Sequence, residues 1–196
     1  DVFMLDLHEK GQGPNGLVAG TVGSGKTELV QSLVASLAVN YHPHEVAFAL
    51  LDFKGGDMVS PLRVFPHVLS TMTSLEMDAV PRAITSLAAE LDRREKIFER
   101  IRSQFGQDIS HIDDYIRLYR QGKVTEPLPY LILIVDEFTV LKSTYPDEME
   151  KFIRIAIKGR SLGFRILLAT QRPQGAVSEH IDANSRFRLC LRVTRV

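Results

Sequence analysis

Cysteine is nearly absent from this 196-residue chain, where Cys190 is the single one. One thiol cannot close an intrachain disulfide, so no covalent framework holds the fold and a reducing compartment is the expected setting. Its neighbours in Arg188-Leu189-Cys190-Leu191-Arg192-Val193 are apolar in alternation, and Cys190 is read as a buried strand residue rather than a reactive thiol. An excess of either charge is also missing, since 24 Lys and Arg balance 24 Asp and Glu. No broad basic field therefore advertises nucleic acid or an anionic membrane, although an assembly can gather charge on one surface while each subunit stays neutral. No apolar run approaches the roughly 18 residues of a membrane-spanning helix, and no signal peptide opens the chain. The six histidines show no metal-ligand spacing, and His42 and His44, either side of Pro43, are read as surface residues. Internal repeats and low-complexity segments are absent. What remains is an ordinary globular composition, long enough for one domain (1–196) with a full core. Because the last residues lie within an alternating run, this domain is expected to be one piece of a longer chain.

The stretch Gly20-Thr21-Val22-Gly23-Ser24-Gly25-Lys26-Thr27 reads G-x-x-x-x-G-K-T, the pattern of a phosphate-binding loop. A short apolar run, Gly16 to Ala19, precedes it, and a helical pattern from Glu28 to Tyr41 follows. Glycines let the backbone take positive φ and approach a ligand with no Cβ in the way. The freed N–H groups then point at phosphate oxygens, aided by the positive end of the next helix. Lys26 can reach the β- and γ-phosphates of a nucleotide, and the Thr27 hydroxyl can ligate Mg²⁺. The candidate nucleotide-binding set is therefore Gly20, Thr21, Val22, Gly23, Ser24, Gly25, Lys26, Thr27 and Glu28.

Along the rest of the chain, Asp1 to Leu7 alternates weakly and is a candidate edge strand, and Glu9 to Asn15 is a linker. Val46 to Phe53 is an almost wholly apolar run carrying Asp52 near its end, as in a strand covered on both faces, and Lys54-Gly55-Gly56 makes a tight turn. Val68 to Met72 is a short strand. From about Thr73 to Phe105 a stripe of Val80, Ile84, Leu87, Leu91, Phe98 and Ile101 predicts a helix. Thr73 and Glu76 could form its capping box, with Pro81 leaving the start open. Ile109 to Arg120 is a shorter helix, and Gly122 to Pro129 a surface connection. Tyr130 to Val135 is the most apolar strand and ends in Asp136-Glu137. Pro146 to Lys158 is a helix, Arg165 to Thr170 a strand ending in Gln171, and Arg186 to Val193 an alternating strand. Strands separated by helices predict an α/β fold, a mostly parallel central sheet with helices on both faces.

In such sheets ligands sit beyond the carboxyl ends of the strands. Asp52, Asp136-Glu137 and Thr170-Gln171 all fall there, on the rim of the phosphate loop. Asp136 suits the metal shell and Glu137 the base that polarises an attacking water. Gln171 suits a γ-phosphate sensor, with a turn cap as the plainer role. Phosphoryl transfer also gains from a cation, often from a neighbouring subunit. Arg93, Arg94, Arg160 and Arg172 are the candidates, with a surface salt bridge the ordinary fate of each.

Together the phosphate loop, Leu51-Asp52-Phe53-Lys54-Gly55-Gly56, Ile134-Val135-Asp136-Glu137-Phe138, Gly159 to Gly163 and Ala169-Thr170-Gln171-Arg172-Pro173 resemble the FtsK/SpoIIIE ATPases. The resemblance implies a RecA-like P-loop NTPase fold of the additional-strand class, ATP and Mg²⁺ as cofactors, and hexameric or tandem assembly. DNA translocases of that family usually carry Asp-Pro-Lys where this chain has Asp52-Phe53-Lys54. The Phe-Lys-Gly-Gly form, Pro66-His67 and the stretch Asn184 to Leu191 resemble the EssC/EccC branch of type VII secretion. That branch implies a cytoplasmic domain of a bacterial membrane-anchored protein with several such domains in tandem. Its partners would be neighbouring ATPase domains, other secretion components and exported helical proteins with a WXG motif. Lys26, Thr27, Asp136 and Glu137 are all kept, as catalysis requires, and the segment Glu90 to Arg94 resembles a region near subunit interfaces, making Arg93 or Arg94 the preferred trans arginine. The alternatives are a double-stranded DNA translocase, and a nucleotide-binding module that docks exported proteins with little turnover. A small-molecule kinase is more remote, since no lid or acceptor site stands out.

Overall fold

The computed structural model describes residues 4–73, 78–106, 108–172 and 179–192. Six strands make one sheet: β1 (Gly16–Ala19), β2 (Val46–Asp52), β3 (Val68–Thr73), β4 (Tyr130–Asp136), β5 (Phe164–Thr170) and β6 (Phe187–Cys190). Their spatial order is β3-β2-β4-β5-β1-β6, and every pairing is parallel. Parallel neighbours need crossovers, which here are α1 (Lys26–Asn40), α2 (Val80–Phe105), α3 (Ile112–Arg120), α4 (Phe138–Thr144), α5 (Pro146–Lys158) and α6 (Glu179–Asn184). β5 lies between the phosphate-loop strand β1 and the acid strand β4. That inserted strand is the mark of the additional-strand class.

The apolar runs of β2, β4 and β5 are explained by cover on both faces. Alternate residues of β4 divide between two cores. Leu131, Leu133 and Val135 face the side covered by α2, α3, α4 and α5, joined by Phe98, Ile112 and Phe152. Ile132 and Ile134 face α1 through Val30 and Val34, with Met58, Val59 and Leu62 beside them. The predicted stripe of α2 is buried at every named position. α1 stops at Asn40 because Tyr41 turns to extended backbone before Pro43.

Several expectations are corrected. Residues 4–7 form no strand; Leu5 and Leu7 instead pack against the smaller core. Thr73 ends β3 rather than capping a helix, and Glu76 lies outside the described residues. α2 begins at Val80 with Pro81 in its first turn, where a missing N–H costs nothing, and α3 begins at Ile112 rather than Ile109. Cys190 is exposed, not buried. Among the described residues β6 is an edge strand paired with β1 alone, and period-two alternation puts Cys190 on the face of Arg188, opposite the buried Phe187. His42 and His44 are exposed, as expected.

Candidate functional site

The phosphate loop joins β1 to α1 at the carboxyl rim of the sheet. Gly25 has φ 89° at the head of α1, a conformation that strains any residue with a Cβ. No side chain caps α1, so its first N–H groups are left for an anion. A Cβ on Gly20 would fall 2.4 Å from Ser24 Oγ, so a larger residue there would push that hydroxyl out of its place in the loop. Ser24 Oγ is itself buried without a hydrogen-bond partner among the described residues, a hydroxyl that a phosphate oxygen would satisfy. Thr21 is tied outward, its N–H (3.1 Å) and its hydroxyl (2.9 Å) both donating to the Arg192 carbonyl. Val22, Gly23 and Glu28 are exposed and Thr27 is half-buried.

Lys26 and Asp136 are each only 5% exposed, and the ammonium donates to Asp136 Oδ1. Two charges this deep are tolerable only as a pair. In register beside Asp136 stands Asp52, 1% exposed, whose oxygens accept from the backbone N–H of Lys54 (2.8 Å) and Met58 (3.1 Å). Asp52 thereby folds the Lys54-Gly55-Gly56 turn, while Lys54 is exposed.

Glu137 is the one non-glycine residue at positive φ (55°) among those described. Such a residue costs on the order of 1 kcal/mol and is held by its surroundings. Here β4 passes directly into α4, whose Phe138 and Leu141 are fully buried. The Glu137 carboxylate leans sideways onto the end of β5. Oε1 accepts from the hydroxyls of Thr139 and Thr170 (2.9 Å to the latter), and Oε2 from the Gln171 N–H (3.2 Å). Gln171 is thus joined to the acid through its backbone. Thr139 and Thr170 were missed in the sequence. The sequence puts Thr170 on the rim, but nothing in its identity names its partner.

The arginines lie elsewhere. Arg94 is 1% exposed and donates to Glu90 (2.7 Å) and to the Leu162 carbonyl (2.8 Å), with its guanidinium over the Phe164 ring. Burial lowers its pKa, opposed by Glu90. It packs inside its own protomer, at the start of β5, the sheet end opposite the phosphate loop, whereas a role at a neighbour's site would need its guanidinium exposed. Arg93 pairs with Glu90 and Glu126 but stays 44% exposed. Arg160 pairs with Glu9 (3.3 Å), and Arg172 is exposed directly after β5, beside the site. A cavity of about 480 Å³, lined in part by Leu37, Tyr41, Tyr119, Leu128 and Arg165, opens at that opposite end, away from these groups.

A phosphate loop, a buried lysine–aspartate pair and a positioned glutamate on one rim of a parallel sheet define a P-loop ATPase domain. A model of the FtsK/SpoIIIE family matches residues 1–175, and the chain belongs to that family. It is 48% identical over 193 residues to the type VII secretion system protein EssC of Staphylococcus aureus, covering 98% of this chain and 13% of that protein. It is also 48% identical over 198 residues to the ESX secretion system protein EccC of Geobacillus thermodenitrificans, covering 100% of this chain and 13% of that protein. The chain thus spans about 13% of the length of these relatives. Among solved structures, the cytoplasmic domain of the Thermomonospora curvata type VII secretion ATPase EccC superposes with TM-score 0.81 at 36% identity, covering 92% of this chain and 21% of that one. ATPases 2 and 3 of the same EccC, in complex with a signal sequence peptide, give 0.86 at 28%, covering 98% and 33%. Among the described residues no helix is long and apolar enough to cross a membrane.

Proposed function

We propose that the chain is an ATP-hydrolysing motor domain of a type VII secretion translocase, one of several in a membrane-anchored protein, acting on its cytoplasmic side. The exported substrates would be small helical proteins of the WXG type, and the partners neighbouring ATPase domains and other secretion components. The observation carrying this reading is the complete set on one rim: Lys26 against Asp136, with Glu137 braced on β5. Phosphate binds at the loop and the α1 N-terminus, Lys26 turns from Asp136 to the phosphates, and Glu137 takes the proton of the attacking water. Mg²⁺ fits the donors present, since Thr27 and Asp136 offer the oxygen ligands a hard cation prefers. When bound, it neutralises phosphate charge and orients the nucleotide. Gln171 reports the state of the γ-phosphate through its bond to Glu137. For a trans cation Arg93 is available and Arg94 is not.

The test is ATP binding and turnover by the parent and Glu137→Gln, each with and without long double-stranded DNA. The variant is expected to bind ATP normally and to lose turnover by about 100-fold or more, as loss of a general base does. Parental turnover in the variant removes Glu137 as base. Turnover that DNA stimulates and the variant abolishes replaces secretion by DNA translocation. Saturable binding without turnover, even in assembled rings, favours the docking module.

A further inference from the structure

We propose that Thr170 is a positioning residue for hydrolysis, its hydroxyl setting the Glu137 carboxylate relative to the phosphate loop. The proposal rests on Glu137 being the base. Thr170 is the last residue of β5 and fully buried. Its hydroxyl has two partners: it accepts from the Arg172 N–H at 3.0 Å and contacts Glu137 Oε1 at 2.9 Å. A backbone N–H can only donate, so the single hydroxyl proton goes to Glu137. Its carbonyl meanwhile accepts from the N–H of Gly20, the first residue of the phosphate loop, at 3.1 Å. One rigid residue therefore joins the base to the loop that would hold the phosphates.

Sheet order gives this joint its direction. Glu137 follows β4, and β5 is the strand between β4 and β1. The bond to Thr170 draws the carboxylate one strand sideways, toward the phosphate loop. The other hydroxyl on Oε1 comes from Thr139, which belongs to α4 and moves with the acid, so it offers no reference to the loop. Burial keeps water from replacing the Thr170 bond, and its χ1 is stiff. A base displaced by about 1 Å loses up to about 100-fold in rate without weaker binding of the ground state.

Thr170→Val keeps the shape and removes the hydroxyl, whereas Thr170→Ser keeps the hydroxyl. In the intact, assembled protein, single-turnover hydrolysis by Thr170→Val is expected to slow about tenfold or more, with ATP affinity within about twofold of the parent. Thr170→Ser is expected near the parent. On a Glu137→Gln background, Thr170→Val is expected to add no further loss, because a residue acting only through Glu137 has nothing left to position. Where valine gives no folded protein by circular dichroism, Thr170→Ala takes its place. Parental rate in Thr170→Val, an equal loss in Thr170→Ser, a parallel loss of ATP affinity, or full additivity with Glu137→Gln each overturns the proposal. A parental rate in Glu137→Gln alone marks failure of the underlying base assignment instead.

Discussion

Arg94 shows how a residue's fate is decided by what surrounds its charge. Its guanidinium is sealed between Glu90, the Leu162 carbonyl and the Phe164 ring. Arg94→Met leaves that carbonyl without its donor and half-buried Glu90 with Arg93 alone, and losing a buried partner of this kind costs roughly 3 kcal/mol. Urea unfolding of the single chain is the measurement, and the loss is expected there, before any assembly. Unchanged unfolding with lost turnover only in assembled protein would return Arg94 to the role of a trans cation. By residue type alone Arg93 and Arg94 are indistinguishable, one position apart on a charged helix. Only the stripe of Leu87, Leu91, Phe98 and Ile101 marks which face turns inward, and Arg94 falls on it. Lys26, Thr27, Asp136 and Glu137 were legible because a phosphate loop fixes residue types at fixed spacing. Thr170 was not, because a hydroxyl's partner across strands depends on sheet order, and Thr139 was not, because its bond depends on how the Glu137 carboxylate turns at positive φ.

Among elements, the segment before β1 carries a charge-dependent contact. His8 Nε2 lies 2.8 Å from Asp113 Oδ2, near the start of α3, and the Tyr130 hydroxyl donates to the other oxygen. Burial raises the Asp113 pKa, but the hydrogen bonds from His8 and Tyr130 prevail and hold it below its ordinary 3.8. The folded state therefore binds this proton more weakly than the unfolded chain. The stabilisation is full above pH 3.8 and is lost as pH falls below it, through the depressed value. Hydrogen exchange at the Gln12 and Gly13 amides, which bond to the Asp6 carbonyl, is the readout. Their protection is expected to drop below about pH 4, and in Asp113→Asn to be reduced at higher pH as well. Protection unchanged across that range would show the contact to be idle. Elements with long periodic patterns, α2 and α5 above all, were legible from spacing. The short helices α4 and α6 and the turn at Ser60–Val64 were not, since so few residues give no period, and residues 4–7 looked like a strand because packed apolar residues in irregular backbone alternate too.

For the whole molecule, ligand and fold are linked by mass action. ATP that binds only the folded state raises stability by about 2.7 kcal/mol at 100 times its Kd. Melting with Mg-ATP is therefore expected to rise for the parent and for Glu137→Gln. Lys26→Ala is expected to gain nothing from nucleotide and to melt lower without it, because Asp136 is then a buried charge with no countercharge and only the Glu137 N–H on it, a defect of roughly 3 kcal/mol. A nucleotide shift retained in Lys26→Ala would place the phosphates elsewhere. The parallel α/β architecture was legible from the order of runs, but the order in space was not, since a sequence lists strands without saying which lie side by side. That same order sets β6 against β1 and brings the Arg192 carbonyl to Thr21, which spends both its donors on it. The grip on phosphate is thus laced to the sheet's outer seam: a tug on the backbone at residue 192 arrives first at the loop, and a loop that shifts around its ligand tugs back along the same cord.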